Sequence, residues 1–382
     1  MSRTCKIKLL LFMLISAAFT TMVTATEVGK SDAIPSTFEF RPGVIVDPDN
    51  SGVVYLMSPE NGIESIDISS GSRIWFTHLA QKPLLLKKKL LIAQYQSPEQ
   101  HNSLQIVGFE ITAPNKAAFK TNIILPTDVQ VSIVDSMESS FRINASISER
   151  DLVLHWSYLK HAVSGIDNNA NDNISDVSKK GIVKVNLDSM QAVHFPLDTK
   201  PGQSEARLPD FVSTKLAEEN LPGPVLYGER VIAVVKRKSA NQGITLFRWD
   251  HAGNALRELD LFGHGMTYRY ASADGRYLLA SKRSDGAKDT HGKYLWNIHS
   301  VDTGKKLAEL HNERVGAWFF VWGTLLFHEV LPNSKLVNGK WLREPLGLQA
   351  INIRTGAPLW FTPIRDLIYR GELPPEMLQS TE

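Results

Sequence analysis

The stretch SIDISSGSRIW, Ser65 to Trp75, returns near the other end of the chain as AINIRTGAPLW, Ala350 to Trp360. In both copies apolar and polar residues alternate, a polar turn containing Gly follows, and an apolar pair ends in Trp. Alternation of period two is the signature of a strand, because successive side chains point to opposite faces. Gly71 and Gly356 supply the positive φ that a tight turn often requires. Each copy is therefore a β-hairpin.

Weaker copies lie between these two. SVDTGKKLAEL places Gly304 in the glycine slot, WDHAGNALREL places Gly253 there, and VNLDSMQAVHF substitutes Met190. FEITAPNKAAF, around Pro114, is the most degenerate. A second series of turns alternates with the first, at Asp47 to Gly52, Lys87 to Lys89, Ser148 to Asp151, Gly228-Glu229, Asp274-Gly275 and Gly323. Two hairpins per unit give four antiparallel strands. Six such units without convincing helices between them predict radial repetition, an all-β propeller of six four-stranded blades. The stretch Thr127 to Ser146 is longer than one strand needs, which leaves room for a seventh.

The Gly-and-Trp hairpin resembles the repeat of PQQ-like propellers, the quinoprotein-dehydrogenase group. The resemblance implies that Gly71 and Gly356 close hairpins while Trp75 and Trp360 wedge between neighbouring blades. SADGRYLLAS, from Ser272, is similar to the turn of WD40-like and TolB-like propellers, with Ala273 in place of Pro. Such a resemblance speaks to fold and little to activity.

Ahead of the repeats, Arg3, Lys6 and Lys8 precede an apolar run from Leu9 to Phe19 and then Val23-Thr24-Ala25. This reads as a secretory signal over residues 1–25, with a single propeller domain over 26–382. Removing it takes three of the 42 basic residues and none of the 40 acidic ones, leaving a net charge of −1. A chain so balanced has no basic excess for nucleic acid. Cys5, the single cysteine, lies before the apolar run, so it is not a lipid-anchor cysteine, and the mature chain has no thiol or disulfide. The expected location is the periplasm or outside the cell, with no membrane span once the signal is cleaved.

Catalytic motifs are missing from the sequence. It has no Gly-x-Ser-x-Gly elbow and no His-Glu-x-x-His. His155 and His328 fall inside strong strands, where a histidine is expected to be structural. Asp167, Asn169, Asn171 and Asn173 offer oxygens of the kind calcium prefers, but Asp172 and Ser178 stand where an EF-hand needs Gly and Glu. A solvated loop is the expectation, with no metal and no cofactor. The sequence thus predicts a non-catalytic platform for an envelope or secreted protein, acting as a monomer. A propeller enzyme (quinone oxidoreductase or hydrolase) and a small-molecule or glycan sensor are the alternatives.

Strand alternation places the long connections on one side of such a propeller. They are Leu159 to Lys180, Ser284 to Gly292, Pro332 to Pro345 and the link from Pro196 to Pro224. Long loops on a rigid scaffold are where binding groups sit. The candidate contacts are His161, Asp167, Arg207, Arg283, His291, Trp341 and Arg343.

Overall fold

The computed structural model describes residues 38–47, 52–96, 101–133, 139–148, 150–160, 177–195, 210–218, 221, 225–228, 230–237, 243–261, 267–272, 274–283, 294–312, 318–337 and 340–366. Their strands form six consecutive antiparallel sheets in chain order, the blades of a β-propeller. Blade 1 holds β1 (Phe38–Arg41), β2 (Val44–Asp47), β3 (Val53–Ser58), β4 (Gly62–Asp67) and β5 (Arg73–Thr77). Blade 2 holds β6 (Lys82–Lys87), β7 (Leu90–Tyr95), β8 (Ser103–Glu110) and β9 (Ala117–Ile124). Blade 3 holds β10 (Ser139–Ser148), β11 (Asp151–Lys160), β12 (Val177–Asn186) and β13 (Ala192–Phe195). Blade 4 follows with β14 (Val225–Tyr227), β15 (Val231–Arg237), β16 (Ile244–Asp250) and β17 (Leu259–Asp260). Blade 5 has β18 (Thr267–Ala271), β19 (Tyr277–Arg283), β20 (Tyr294–Ser300) and β21 (Lys306–Asn312). Blade 6 has β22 (Phe319–Trp322), β23 (Leu325–Val330), β26 (Gly347–Asn352) and β27 (Pro358–Pro363), with the ribbon β24 (Asn333–Val337) and β25 (Lys340–Glu344) inserted between its second and third strands.

Four features depart from the sequence expectation, the first being the β24–β25 ribbon where Pro332 to Pro345 was expected as a loop. Blade 1 carries a fifth strand, β1, paired to β2 on the side away from the rest of its sheet. The link after blade 3 contains a helix, α1 (Asp210–Glu218), with Asp210 in its first turn and Lys215 in its last, where each favours the helix dipole. The stretch that left room for a seventh blade instead runs outside strands over residues 125–133. It buries Leu125, Val129 and Val131 in the core shared by blades 2 and 3.

The blades pack face to face through apolar clusters. Tyr55 and Ile63 of blade 1 cluster with Leu91 and Phe109 of blade 2, and Ile92 and Leu104 of blade 2 with Leu154 and Trp156 of blade 3. On the other half, Ala233 and Leu246 of blade 4 meet Leu278 and Ala280 of blade 5, and Leu279 and Ile298 meet Phe319 and Leu326 of blade 6. Blade 6 returns to blade 1 through Phe320, Phe327 and Leu348 against Phe40, Val54 and Ile66. Among the described residues no strand is exchanged at this closure, since each blade is contiguous in sequence. The Trp360 Nε1–H donates to the Ile68 carbonyl at 2.9 Å, a buried ion pair joins Arg41 to Glu329 at 2.9 Å, and the Arg365 backbone N–H, just past β27, donates to the Met57 carbonyl at 2.9 Å.

The repeated glycine has two jobs. Gly71 stands at φ 71°, a backbone region costly for residues with a Cβ. A methyl group there would also collide with the indole of Trp360, so the preceding blade's Trp is seated on this blade's turn. Trp75 plays the matching part toward blade 2, its ring centroid 6.0 Å from that of Phe109. Met190, in the glycine slot of blade 3, is forced to φ 59°.

Candidate functional site

Blade 3 differs from the other five. In β3, β7, β15, β20 and β23 the residues run buried almost without interruption, because a neighbouring blade covers each face of the sheet. Through β10 and β11 buried and accessible residues alternate instead. One face, with Phe141, Ile143, Leu154, Trp156 and Val183, packs on blade 2. The opposite face, toward blade 4, is open to solvent.

Strand pairing sets that open face in rows. Arg142, Ser157 and Lys180 form the first. Asn144, His155, Ile182 and Phe195 form the second, and Ser146, Val153, Lys184 and Val193 the third. Arg142, Asn144, His155, Ser157, Lys180 and Lys184 are all exposed. The apolar members gather at the outer edge, where Val193 is 56% and Phe195 39% accessible. The Lys184 ammonium lies 5.2 Å from the Phe195 ring centroid, within cation–π range. Asp151, at the hairpin end, accepts a hydrogen bond from Asn186 at 3.1 Å.

What blade 3 leaves uncovered on blade 4 is covered by α1. Val212 of the helix and Leu221 beyond it cluster with Ile232, Val234 and Trp249. Phe211 sits over Gly253 as Trp360 sits over Gly71. His194, the blade 3 residue in the wedge position, is exposed. Among the described residues no apolar cluster joins blades 3 and 4.

At the inner end of the open face lies β1. Glu39 of this strand is accessible to solvent while neighbouring protein crowds its carboxyl. Burial pushes its carboxyl up, while Lys82, the Gly43 N–H, Arg142 and Arg41 pull it back down. Lys82 belongs to blade 2 and Arg142 to blade 3, so β1 runs where the innermost strands of several blades converge.

The residues expected from sequence to form a binding face are only partly described. Arg283 is the last residue of β19, paired with Tyr294. Trp341 and Arg343 both lie on β25, paired with Leu336 and Ser334. His161, Asp167, Arg207 and His291 lie outside the described residues, as does the Asp167–Asp176 segment considered for calcium. The strand order does place the departures of all four long connections on one side, opposite the tight hairpin turns. Among the described residues, no three His, Cys, Asp or Glu side chains gather as a metal site would need.

The two strand histidines separate. His328 is structural as expected: it is 3% accessible, with Nδ1 3.0 Å from the Glu329 carbonyl and Nε2 3.1 Å from Gln349 Oε1. His155, expected likewise to be structural, is instead exposed on the open face of blade 3. Sequence reasoning also missed the open face itself. Its signal was present, since SSFRINASIS and DLVLHWSYLK alternate apolar with polar where other blades have apolar runs such as VVYLM and LLIA.

No known family and no curated protein matches the sequence. Among solved structures, the chain is similar at 11% identity to the apo AtxE2 isopeptidase, with a TM-score of 0.42 over 91% of this chain and 54% of that one. It is similar at the same identity to TolB from Acinetobacter baumannii (TM-score 0.28; 80% and 62% covered) and to a europium-containing methanol dehydrogenase (TM-score 0.23; 89% and 72% covered). The chain spans about half the length of the isopeptidase chain. The propeller assignment rests on the sheet order and the blade-to-blade clusters, independently of these likenesses. No helix among the described residues is long and apolar enough to cross a membrane.

Proposed function

We propose that this chain is exported and serves, without catalysis, as a rigid platform for a protein partner of the cell envelope or the secreted space. The observation that carries this reading is the one-sidedness of the long connections. Residues 161–176, 284–293 and 331–346 and the link 196–224 all depart from the same side, while the opposite side is closed by short turns. Blades that send their long connections to one side suit recognition. His161, Asp167, Arg207, Arg283, His291, Trp341 and Arg343 all fall on these segments or at their edges, and they are the proposed contacts.

The test is replacement of residues 163–176 by a short Gly-Ser turn, which leaves β11 and β12 intact. The melting temperature should stay within a few degrees of the parent, and crosslinking to the native partner in the host should fall. Full crosslinking by the trimmed protein, together with release by changes in the turns around Asp67 and Gly71, would place the interaction on the other side. N-terminal sequencing checks export, with Thr26 expected as the first residue.

A further inference from the structure

We infer that the open face of blade 3 is a docking surface for an extended, acidic polypeptide segment. This rests on the platform reading and gives it a second surface with a defined chemistry. A propeller blade is a sheet evolved to be covered on both faces, and this one is covered on one. Its open face is not an eroded core: where other blades present apolar side chains, blade 3 presents Lys180 and Lys184, with Arg142 near Glu39 of β1 at the inner end and Asp151 beside Asn186 at the hairpin end. Lys180 and Lys184 lie four residues apart on one strand and so share a face, roughly 13–14 Å apart. That is the spacing of acidic residues four apart on an extended peptide running beside them.

The outer edge adds the other half of the match. Val193 and Phe195 lie on the same face as the lysines, and β13 is the last strand of its sheet, so its outer backbone edge has no strand partner among the described residues. Cations beside an exposed apolar strip fit a segment that alternates acidic and aromatic or branched residues. Charge complementarity speeds encounter and sets register, and the apolar strip supplies contact area.

The test uses a dye-labelled peptide carrying Glu and Phe at alternate positions, separated by Thr, and reads fluorescence anisotropy against the full mature chain. Binding is expected, weakening as salt is raised, and K180E/K184E should weaken it about tenfold or more. Phe195→Thr, which leaves the charges in place, should weaken it severalfold. Lys305→Glu, on a hairpin turn of blade 5, should leave it unchanged. Equal affinity in the double variant, or an equal loss with Lys305→Glu, overturns the inference. So does binding of heparin with none of the peptide, or a dimer in sedimentation that K180E/K184E dissociates, which would put a second copy on the face. Failure of the peptide while native crosslinking still depends on residues 163–176 removes this inference and leaves the platform reading standing.

Discussion

The seat of Trp360 on Gly71 can be tested by a double-mutant cycle whose outcome is fixed by geometry. Truncating a fully buried Trp to Ala costs about 3–5 kcal/mol. Trp360 is half-buried, so its packing is worth about 2 kcal/mol by the same scale. Its indole hydrogen bond to the Ile68 carbonyl adds about 1 kcal/mol. Part of that packing is the contact with Phe327, whose ring centroid lies 5.5 Å away. Trp360→Ala should therefore cost about 3 kcal/mol, and Trp360→Phe, which keeps a ring but loses the donor, about 1 kcal/mol. Gly71→Ala pays twice in the parent: about 1 kcal/mol for a Cβ at φ 71°, and a further loss because the methyl group displaces the indole. In the Trp360→Ala background only the backbone cost remains. Urea unfolding followed by far-ultraviolet circular dichroism measures all four proteins, and the two substitutions should be less than additive by about 2 kcal/mol. If Gly71→Ala costs the same in both backgrounds, Trp360 does not sit on that turn and the wedge reasoning is wrong.

Other outcomes follow from single residues. Met190 occupies a left-handed position at φ 59°, so Met190→Gly should stabilise the protein by about 0.5–1 kcal/mol after allowing for the extra freedom of glycine in the unfolded chain; an unchanged or lower melting temperature refutes this. Burial pushes the His328 imidazole from 6.5 down to about 4, so the folded state holds it neutral where the unfolded chain takes up a proton. Its contribution to stability is intact above pH 6.5 and drains away as pH falls toward 4, and His328→Gln should flatten that part of the stability profile. Glu64 behaves in the opposite sense: burial pushes its carboxyl from 4.5 up to about 7, against the opposing pull of Arg73. Its contribution is present below pH 4.5 and is lost as pH rises through 7, so Glu64→Gln should remove a decline in stability between those values.

Hairpins were legible because turns have few chemical solutions. Gly71, Gly253, Gly275, Gly304, Gly323 and Gly356 all stand at positive φ, and a glycine between alternating strands announces that need in the sequence alone. The six-blade count followed from the strict alternation of two turn types. Strand β1 was overlooked although Pro42-Gly43, with Gly43 at φ 81°, marks its turn into β2, because it falls outside the two-hairpin unit that the other blades repeat. Helix α1 was hidden because DFVSTKLAE has a weak apolar stripe, and Phe211 and Val212 draw their helical context from blade 4 rather than from each other. The open face of blade 3 lay in plain view as alternation, but alternation is also what any strand with one wet face shows. Only the contrast with the fully buried strands of the neighbouring blades turns Arg142, His155, Lys180 and Lys184 into a surface. Of the residues proposed as contacts, Arg283, Trp341 and Arg343 lie on strands β19 and β25, and no local sequence pattern sets any of the seven apart as a binding group.

The contiguity of the described blades, together with the lack of an apolar cluster joining blades 3 and 4 among the described residues, changes what kind of object the ring is. Energetically it is a linear stack ordered 4, 5, 6, 1, 2, 3, in which each sheet leans on its neighbours and the two outermost members are consecutive in the chain. The first and last described strands, β1 and β27, meet in the middle of that stack, at the boundary sealed by Phe40, Phe327 and Trp360. Nearest-neighbour arrays fray from their ends. Local opening should therefore begin at the strands that the chain joins through α1, far along the sequence from either terminus, while the terminal blades exchange their amide protons last.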